Sequence, residues 1–290
     1  MRKAITIICT ITIIVCAVLI VWNVVKERNH LKWEEELADE FLLPAGVPAE
    51  QNGQEEWIGE EGTEEPGEPY EYQTLSEERK NVNFPKLTQT NDNSVGWIYI
   101  PNTTINHPVV QGADNQTYLK KNIYGQYSVH GSIFVDCGNI LSPMDTNVVL
   151  HGHNMGTGRT SMFSQLVKYA DASFFNGHNI VQFDTKYGTG HWEVFAAFDI
   201  NIAENNGGFN YTRVNFMNEQ DFNDFIANVR SRSYVATEVP IKYGDKILTL
   251  STCNKKYYGE NGRFAVMAVL REGTLKPQKT MNITEDEGEI

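Results

Sequence analysis

The N-terminal run of apolar residues constrains this chain more than any other feature. Residues 4–25, 22 in all, carry no charge and are rich in Ile, Val and Leu. At ~1.5 Å rise per residue, a helix of this length spans roughly 30 Å, enough to cross the hydrocarbon core of a bilayer. The run therefore predicts a retained transmembrane helix. A cleaved secretory signal is the alternative, but its apolar core is shorter, roughly 7 to 15 residues, and it ends at a small-residue cleavage site that is not evident here.

The charges beside this run are nearly balanced. Arg2 and Lys3 precede it, and Lys26, Arg28 and Lys32 follow it closely. Large domains cross a membrane largely regardless of charge, so a cytoplasmic N-terminus of residues 1–3 with the remainder translocated is the simpler topology. We expect a single-pass protein of the cell membrane whose main domain lies on the extracellular side.

Most of the negative charge lies in one segment. The formal charge of the chain is −13, and residues 33–80 contain sixteen acidic and two basic residues, so the rest is close to neutral and gives no argument for nucleic-acid binding. Residues 44–72 are rich in Pro, Gly and Glu and have too few apolar side chains to offset the entropy of ordering. We interpret residues 26–80 as a charged stalk, helical to residue 43, followed by a disordered acidic linker that acts as an extended tether.

Beyond the linker, short apolar runs alternate with turn residues, which is typical of an all-β domain. The predicted strands are residues 95–100, 105–110, 132–136, 147–151, 180–184, 191–200, 246–252 and 263–270. Eight strands are enough to close a barrel. We therefore predict a mainly β fold, a closed eight-stranded barrel over residues 81–275 with peripheral helices, and an acidic C-terminal tail at residues 276–290.

Two helices are predicted within this domain. The apolar residues Phe222, Phe225, Ile226 and Val229 share one helical face, and Asn218 before them supplies an N-cap. This helix should lie on the barrel between two strands in sequence. A shorter helix is predicted over residues 161–169.

A cysteine and an arginine flank one predicted turn. The run Ile247-Leu-Thr-Leu-Ser-Thr-Cys253 ends a strand, and Arg263 opens the next one, so an antiparallel hairpin would bring the two side chains together. A guanidinium favours a nearby thiolate and donates hydrogen bonds to an oxygen that acquires negative charge. A core cysteine beside a surface arginine is the alternative interpretation of the pair.

Histidines end another predicted strand. In Leu150-His-Gly-His-Asn154, His151 and His153 share one face, so either imidazole could face the thiol and exchange a proton with a reacting group. The same pair with Cys253 could instead bind zinc, although the spacings typical of zinc sites are absent. Cys9 and Cys16 lie in the apolar run, so a Cys137 to Cys253 disulfide is the one pairing open to the domain.

Several of these segments resemble the sortase family. Thr249-Leu-Ser-Thr-Cys253 looks like the family's TLxTC signature, followed by an arginine at a suitable distance, and the His-Gly-His segment is similar to its Gly-His segment. The resemblance covers roughly residues 84–271, including Gly96–Ile98, Asp114–Asn115, Tyr118–Leu119, Gly131–Asp136 and Met162–Phe163. It is closest to class B, which carries an added helix between its sixth and seventh strands. Related sequences often have an aromatic residue in place of Cys137.

The resemblance implies roles for named residues. Cys253 would be the nucleophile, His153 the general acid and base, and Arg263 the group that holds the scissile carbonyl oxygen. Ser251, Thr252 and Asn154 are candidate substrate-binding residues, and no cofactor or metal is implied.

The resemblance also implies a reaction. A sortase cleaves the C-terminal sorting signal of a surface protein after a Thr, forms a thioester on its cysteine, and transfers the acyl group to an amine of a peptidoglycan precursor in the Gram-positive cell wall. Pilus-building members use a pilin lysine instead. A non-catalytic, membrane-anchored binding module and a zinc hydrolase are the alternatives from other classes.

The tether interpretation makes a prediction for activity. Deleting residues 44–72 should spare cleavage of a soluble peptide, because the segment would set the reach of the domain without contributing to its chemistry. Cleavage rates of the parent and the deletion variant with the same soluble peptide test this. A deletion variant that is folded but inactive would contradict it.

Overall fold

The computed structural model describes residues 2–44, 79–203 and 209–274. Most of the predicted acidic linker, residues 45–78, and the predicted acidic tail, residues 276–290, lie outside these ranges. Within them the chain forms one long N-terminal helix, a short second helix and a barrel with three further helices on its surface.

Eight strands form the barrel, and its closure confirms the predicted fold class. The strands are β1 (Ser94–Tyr99), β2 (Asn106–Val110), β3 (Ile133–Val135), β4 (Asn147–Gly152), β5 (Ile180–Thr185), β6 (Gly190–Asn201), β7 (Ile247–Cys253) and β8 (Gly262–Gly273). Their order around the barrel is β1-β2-β3-β4-β7-β8-β6-β5. The pairs β2–β3 and β4–β7 are parallel, and the other neighbours are antiparallel. Every predicted strand is present, with ends that differ from the prediction by three residues at most.

Five α-helices accompany the strands: α1 (Arg2–Phe41), α2 (Phe84–Thr90), α3 (Ala172–Gly177), α4 (Glu219–Arg232) and α5 (Lys255–Tyr258). Helix α2, which follows the N-cap Asn83 and has a proline in its first turn, was not predicted from the sequence. A helix was predicted to start at Ser161, whereas the helical segment there is a 3-10 helix over Ser164–Ala170. That prediction was wrong at its N-terminal end because Met162 pairs with Asn154 in an isolated β-bridge instead.

Helix α4 packs on the outside of the barrel, as predicted. The Asn218 side chain accepts a hydrogen bond from the Asp221 backbone N–H and caps the helix. The apolar face of the helix, with Phe222 and Val229 fully buried, contacts outward side chains of β6 and β8 such as Phe198. A separate apolar cluster fills the barrel interior, with Ile98, Val109, Leu150, Leu248 and Val266 among its members. The alternation of β6 and β8 therefore supplies side chains to two cores, one inside the barrel and one beneath α4.

Helix α1 is exposed in its N-terminal part and buried in its C-terminal part. Large apolar side chains between Ile5 and Val25 are about half or more exposed, and this helix is long and apolar enough to cross a membrane. Farther along, Leu37, Ala38 and Phe41 are buried against α2, β1, β2 and β3, in a cluster that includes Trp97, Val110 and Phe134. The C-terminal half of α1 is thus part of the folded domain.

The residues on either side of the acidic linker pair with each other. Leu42 and Val82 form a β-bridge, and the Leu43 N–H donates a 2.8 Å hydrogen bond to the Asn81 carbonyl. The segment between them therefore leaves and rejoins the domain at one place. Helix α1 itself packs on the barrel, and the role of residues 44–72 as an extended tether stays a prediction.

Three histidines and a carboxylate are buried where α1 meets the barrel. The rings of His30 and His130 stack with centroids 3.4 Å apart. Glu34 Oε1 lies 2.9 Å from His30 Nε2 and 4.0 Å from His107 Nε2. Burial, with the neighbouring His30, lowers the pKa of His130 to about 4, against an attraction to Glu34 and Glu27. Burial also lowers the pKa of His107, against an attraction to Glu34.

Acidification should weaken this interface. A histidine whose pKa is lower in the folded state than in the unfolded chain stabilises the fold fully above pH ~6.5, and that stability is lost as the pH falls toward ~4. We expect a lower thermal midpoint for the full-length protein in detergent at pH 5 than at pH 7.5. The variant His130→Phe keeps a stacking ring without a titratable proton, so it should reduce this difference. A pH difference of the same size in parent and His130→Phe would contradict the assignment.

Candidate active site

Three neighbouring strands end at the same edge of the barrel. Strand β7 lies between β4 and β8, and in the registers Gly152 pairs with Thr252 and Cys253 pairs with Arg263. Since β4 and β7 are parallel, the residue that follows β4, His153, emerges beside the end of β7. The predicted residues Cys253, His153 and Arg263 therefore arrive at one place from three strand ends.

These strand ends line a cleft of about 590 Å³. Its walls contain the three predicted catalytic residues together with residues from the loops that follow β2 and β6. The lining includes Asn115, Gln116, Leu119, Asp136, His151, His153, Ile202, Tyr211, Thr212, Ser251, Thr252, Cys253 and Arg263. The volume falls in the range of small-ligand and peptide sites.

Cys253 presents a free, partly exposed thiol to this cleft. The chain leaves β7 through a tight connection in which the Asn254 N–H donates to the Gly262 carbonyl at 3.0 Å. A Cβ on Gly262 would collide with the Asn254 carbonyl oxygen, so only glycine permits this approach. The glycine before Arg263 thus allows Arg263 to pair with Cys253 across the hairpin.

His153 directly follows β4, and its ring is oriented by a backbone carbonyl. Its Nε2 lies 2.8 Å from the Leu119 carbonyl oxygen. A carbonyl only accepts, so Nε2 carries the proton and Nδ1 is the nitrogen that can exchange one. Gly152 before it packs against Ile133 and Phe163, and the Phe163 N–H donates to the His153 carbonyl at 3.0 Å.

His151 has a different partner. Its Nε2 lies 2.8 Å from Asp136 Oδ2, and this hydrogen bond is the main reason that the pKa of Asp136 is lowered. Asn115 donates to the same oxygen at 2.9 Å. The zinc alternative required His151, His153 and Cys253 to converge on one ion, but the described residues contain no group of three His, Cys, Asp or Glu side chains that could hold a metal.

Arg263 is partly exposed and oriented by its own turn. Its Nη1 donates to the carbonyls of Glu260 and Gly262, both at 2.9 Å. These two bonds fix one edge of the guanidinium. Arg263 also lines the cleft, and its guanidinium stays positively charged because it does not lose its proton.

The three candidate substrate-binding residues have different surroundings. Thr252 is buried and donates from Oγ1 to the Gly152 carbonyl at 2.7 Å, and Ser251 Oγ lies 2.9 Å from the Tyr211 hydroxyl. Asn154 lies outside the first cleft, and its side-chain amide donates to the Cys253 carbonyl at 3.0 Å. Ser251 and Thr252 thus line the cleft, whereas Asn154 braces the backbone of the nucleophile's strand.

Tyr211 lines the cleft but was not predicted. It is 6% exposed, and burial raises the pKa of its hydroxyl against the hydrogen bond from Ser251. It lies in the irregular segment between β6 and α4, where no periodic pattern marks a buried residue. Leu119 contributes only its backbone carbonyl. Because every residue has this group, the sequence could not identify Leu119 as part of the site.

The disulfide alternative is wrong. Cys137 and Cys253 are both free thiols, and Cys137 is exposed while Cys253 lines the cleft. Cys9 and Cys16 are also free, on the exposed surface of α1.

The packing around Gly152 can be tested directly. A Cβ there would lie 2.5 Å from Ile133 Cδ1 and 2.6 Å from Phe163 Cδ2, so Gly152→Ala should destabilise the fold by about 1–3 kcal/mol through overpacking. Thermal unfolding measures this loss. Gly177→Ala is the matched control, since a Cβ at Gly177 meets nothing within 4 Å. Equal midpoints for the two variants would contradict the packing argument.

This chain is similar in sequence and in fold to known proteins. A family model described as the sortase domain matches residues 98–271. Sortase B of Staphylococcus aureus (strain NCTC 8325 / PS 47) is 34% identical over 192 residues, which cover 66% of this chain and 76% of that protein. The structure of a Staphylococcus aureus sortase B–substrate complex aligns with a TM-score of 0.60 at 34% identity over 66% of this chain and 85% of its own. A structure of sortase B complexed with triglycine aligns with a TM-score of 0.59 at 34% identity over 66% of this chain and 86% of its own.

These matches cover the barrel, the cleft and the three strand ends. They also include the helix between the sixth and seventh strands that the sequence analysis associated with class B. The chain therefore belongs to the sortase family, and within it the chain is most similar to the class B sortases.

Proposed function

We propose that this protein is a class B-like sortase that cleaves a sorting signal after a Thr and transfers the acyl group to an amine, with Cys253, His153 and Arg263 as its catalytic residues. One observation carries the proposal: these three side chains come from adjacent strand ends and line the same cleft. Family membership supplies the reaction class, a cysteine transpeptidation.

In the first half of the reaction, the Cys253 thiol passes its proton to His153 Nδ1, and the resulting Sγ thiolate attacks the carbonyl carbon of the Thr. Arg263 donates hydrogen bonds from its other guanidinium N–H groups to the oxygen that becomes negative, while its Nη1 is held by two carbonyls. His153 gives a proton to the departing amide nitrogen as the carbon–nitrogen bond breaks. The products are a thioester on Cys253 and a free peptide with a new amino terminus.

In the second half, an amine attacks the thioester carbon. The carbon–sulfur bond breaks, Cys253 leaves as a thiolate, and the surplus proton of the amine passes to His153. Water in place of the amine would give hydrolysis, the thiol peptidase side reaction. The related structures named for a substrate complex and for a triglycine complex support a peptide donor and an amine acceptor.

A second cleft gives the acceptor its own approach. It has a volume of about 1060 Å³, and its lining includes Asn154, Asp199, Tyr234, Lys255 and also Cys253. Because Cys253 borders both clefts, a donor in the first could be attacked from the second without displacement. We assign the first cleft to the sorting signal and the second to the amine, which we take to belong to a peptidoglycan precursor, with a pilin lysine as the alternative.

The long apolar stretch of α1 supports a location for the enzyme. We propose that residues 4–25 anchor the protein in the cell membrane with the N-terminus in the cytoplasm and the barrel on the cell-wall side. Enzyme and membrane-bound substrates would then share one surface, which raises their effective concentration.

A peptide library tests the reaction and its specificity together. Parent protein and Cys253→Ala are incubated with Thr-containing peptides and an amine, and cleaved and transferred products are identified by mass. We expect the parent to cleave after Thr and to join the acyl group to the amine, and Cys253→Ala to do neither. Cys137→Ala, at a thiol outside the clefts, is the matched control and should retain activity. A Cys253→Ala variant as active as the parent would exclude the proposed nucleophile and favour a binding module.

The role of Arg263 is tested by a substitution that keeps its charge. A lysine at this position cannot present the planar fork of donors, so Arg263→Lys should lower kcat by about 10²-fold, the size of effect seen when one oxyanion donor is lost. Steady-state cleavage of the best library peptide gives kcat and KM. The prediction fails if Arg263→Lys retains the kcat of the parent.

A further inference from the structure

One carboxylate of α1 contacts the loop that follows the catalytic histidine. Glu27 lies two residues beyond the apolar run, and its side chain is 12% exposed. Its Oε2 accepts a 2.7 Å hydrogen bond from Arg159 Nη1. Its Oε1 accepts from Ser161 Oγ at 2.9 Å and from the backbone N–H groups of Ser161 and Thr160, both at 3.3 Å. One side chain therefore receives four donors from three consecutive residues.

Ser161 makes this contact costly to lose. It is fully buried, and both its hydroxyl and its backbone N–H donate to Glu27. A buried donor without an acceptor costs about 1–3 kcal/mol. The loop therefore has a strong reason to remain against α1 as long as the carboxylate is present.

From Ser161 the contacts lead directly to the catalytic strand ends. The next residue, Met162, forms a β-bridge with Asn154, and the Phe163 N–H donates to the His153 carbonyl. Asn154 in turn donates its side-chain amide to the Cys253 carbonyl. Two contacts thus separate Glu27 from the backbone of His153, and three separate it from the backbone of Cys253.

The part of the loop between these two fixed ends is loosely packed. Gly156 and Gly158 have φ values of +102° and +77°, and a Cβ on either would meet nothing within 4 Å. Residues 156–158 are exposed. The loop makes few packing contacts at residues 156–158, so its path depends on the contacts of residues 159–161.

The geometry points to Glu27 as a positioning residue of the active site. By holding Arg159, Thr160 and Ser161, it fixes the stretch that pairs with His153 and Asn154, and so it connects the membrane helix to the catalytic histidine. Glu27 does not touch the reacting atoms. This inference rests on the proposed function, since its effect is read through peptide cleavage.

The test uses the full-length protein in lipid nanodiscs and compares Glu27→Gln with the parent. The amide keeps the size of the side chain but removes its charge and one of its acceptors. We expect kcat for peptide cleavage to fall about tenfold while KM changes less than twofold, because the alignment of His153 is disturbed and the peptide cleft is not. Assays are made well below the thermal midpoint of each variant, so that a loss of folded protein does not enter kcat.

Two further variants identify the route. Glu36→Gln removes an exposed carboxylate from another face of the same helix, where the side chain is 65% exposed, and should match the parent. Ser161→Ala removes one donor from the loop side and leaves α1 intact, so it should lower kcat in the same direction. Because both act on one contact, the double variant Glu27→Gln with Ser161→Ala should lose less activity than the product of the two single losses.

The outcomes separate this inference from the proposed function. A parent protein that cleaves no peptide would sink the proposed function itself. An active parent with an unchanged kcat in Glu27→Gln would overturn the positioning role, as would a variant whose loss is confined to its thermal midpoint or to KM. Should Glu27→Gln fail to fold, Ser161→Ala decides alone: a kcat equal to that of the parent overturns the proposal.

Discussion

The pairing of β7 with β4 on one side and β8 on the other is the constraint on which the site depends. The two registers place Thr252 opposite Gly152 and Cys253 opposite Arg263. A shift of either register by one residue would turn the side chains of that strand to the opposite face of the sheet. The interior cluster opposes such a shift, because Leu150, Leu248, Leu250 and Val266 are fully buried within the barrel. The apolar core thus sets the geometry of the polar site at its edge.

The second feature of the molecule is the contact between helix α1 and the barrel. Glu27, His30, Glu34, Leu37 and Phe41 recur at the spacing of one helical face, and this face lies against the barrel and the loop after β4. The C-terminal part of this face is apolar. Its N-terminal part consists of polar side chains that pair with one another or with the loop after β4. The barrel is therefore packed directly on the C-terminal half of α1, and Leu42 and Val82, which flank the acidic linker, pair beside this contact.

Much of the barrel and the three catalytic candidates could be predicted from the sequence, because both depend on local patterns. The run 247–253 alternates in a way that suits a strand, and the cysteine and arginine stand at either side of a turn. The docking face of α1 could not be predicted, since Glu27, His30 and Glu34 are charged or polar residues in what reads as a solvated helix. Tyr211 was missed for a related reason: it is buried by contacts distant in the chain, and its hydroxyl pairs with Ser251, forty residues away. The zinc and disulfide alternatives stayed open in the sequence because spacing alone cannot tell which side chains converge, whereas His151 turns to Asp136 and Cys137 stays apart from Cys253.

The central claim is that the Cys253 sulfur lies where it can accept an acyl group with His153 and Arg263 beside it. Intact-protein mass measurement after mixing with a cleavable peptide, with no amine present, tests this most directly. The account predicts a mass increase equal to the acyl fragment, located on the proteolytic fragment that contains Cys253, removed by hydroxylamine and much reduced in Arg263→Lys. An acyl adduct on Cys137, or peptide turnover with no adduct that depends on Cys253, would contradict it.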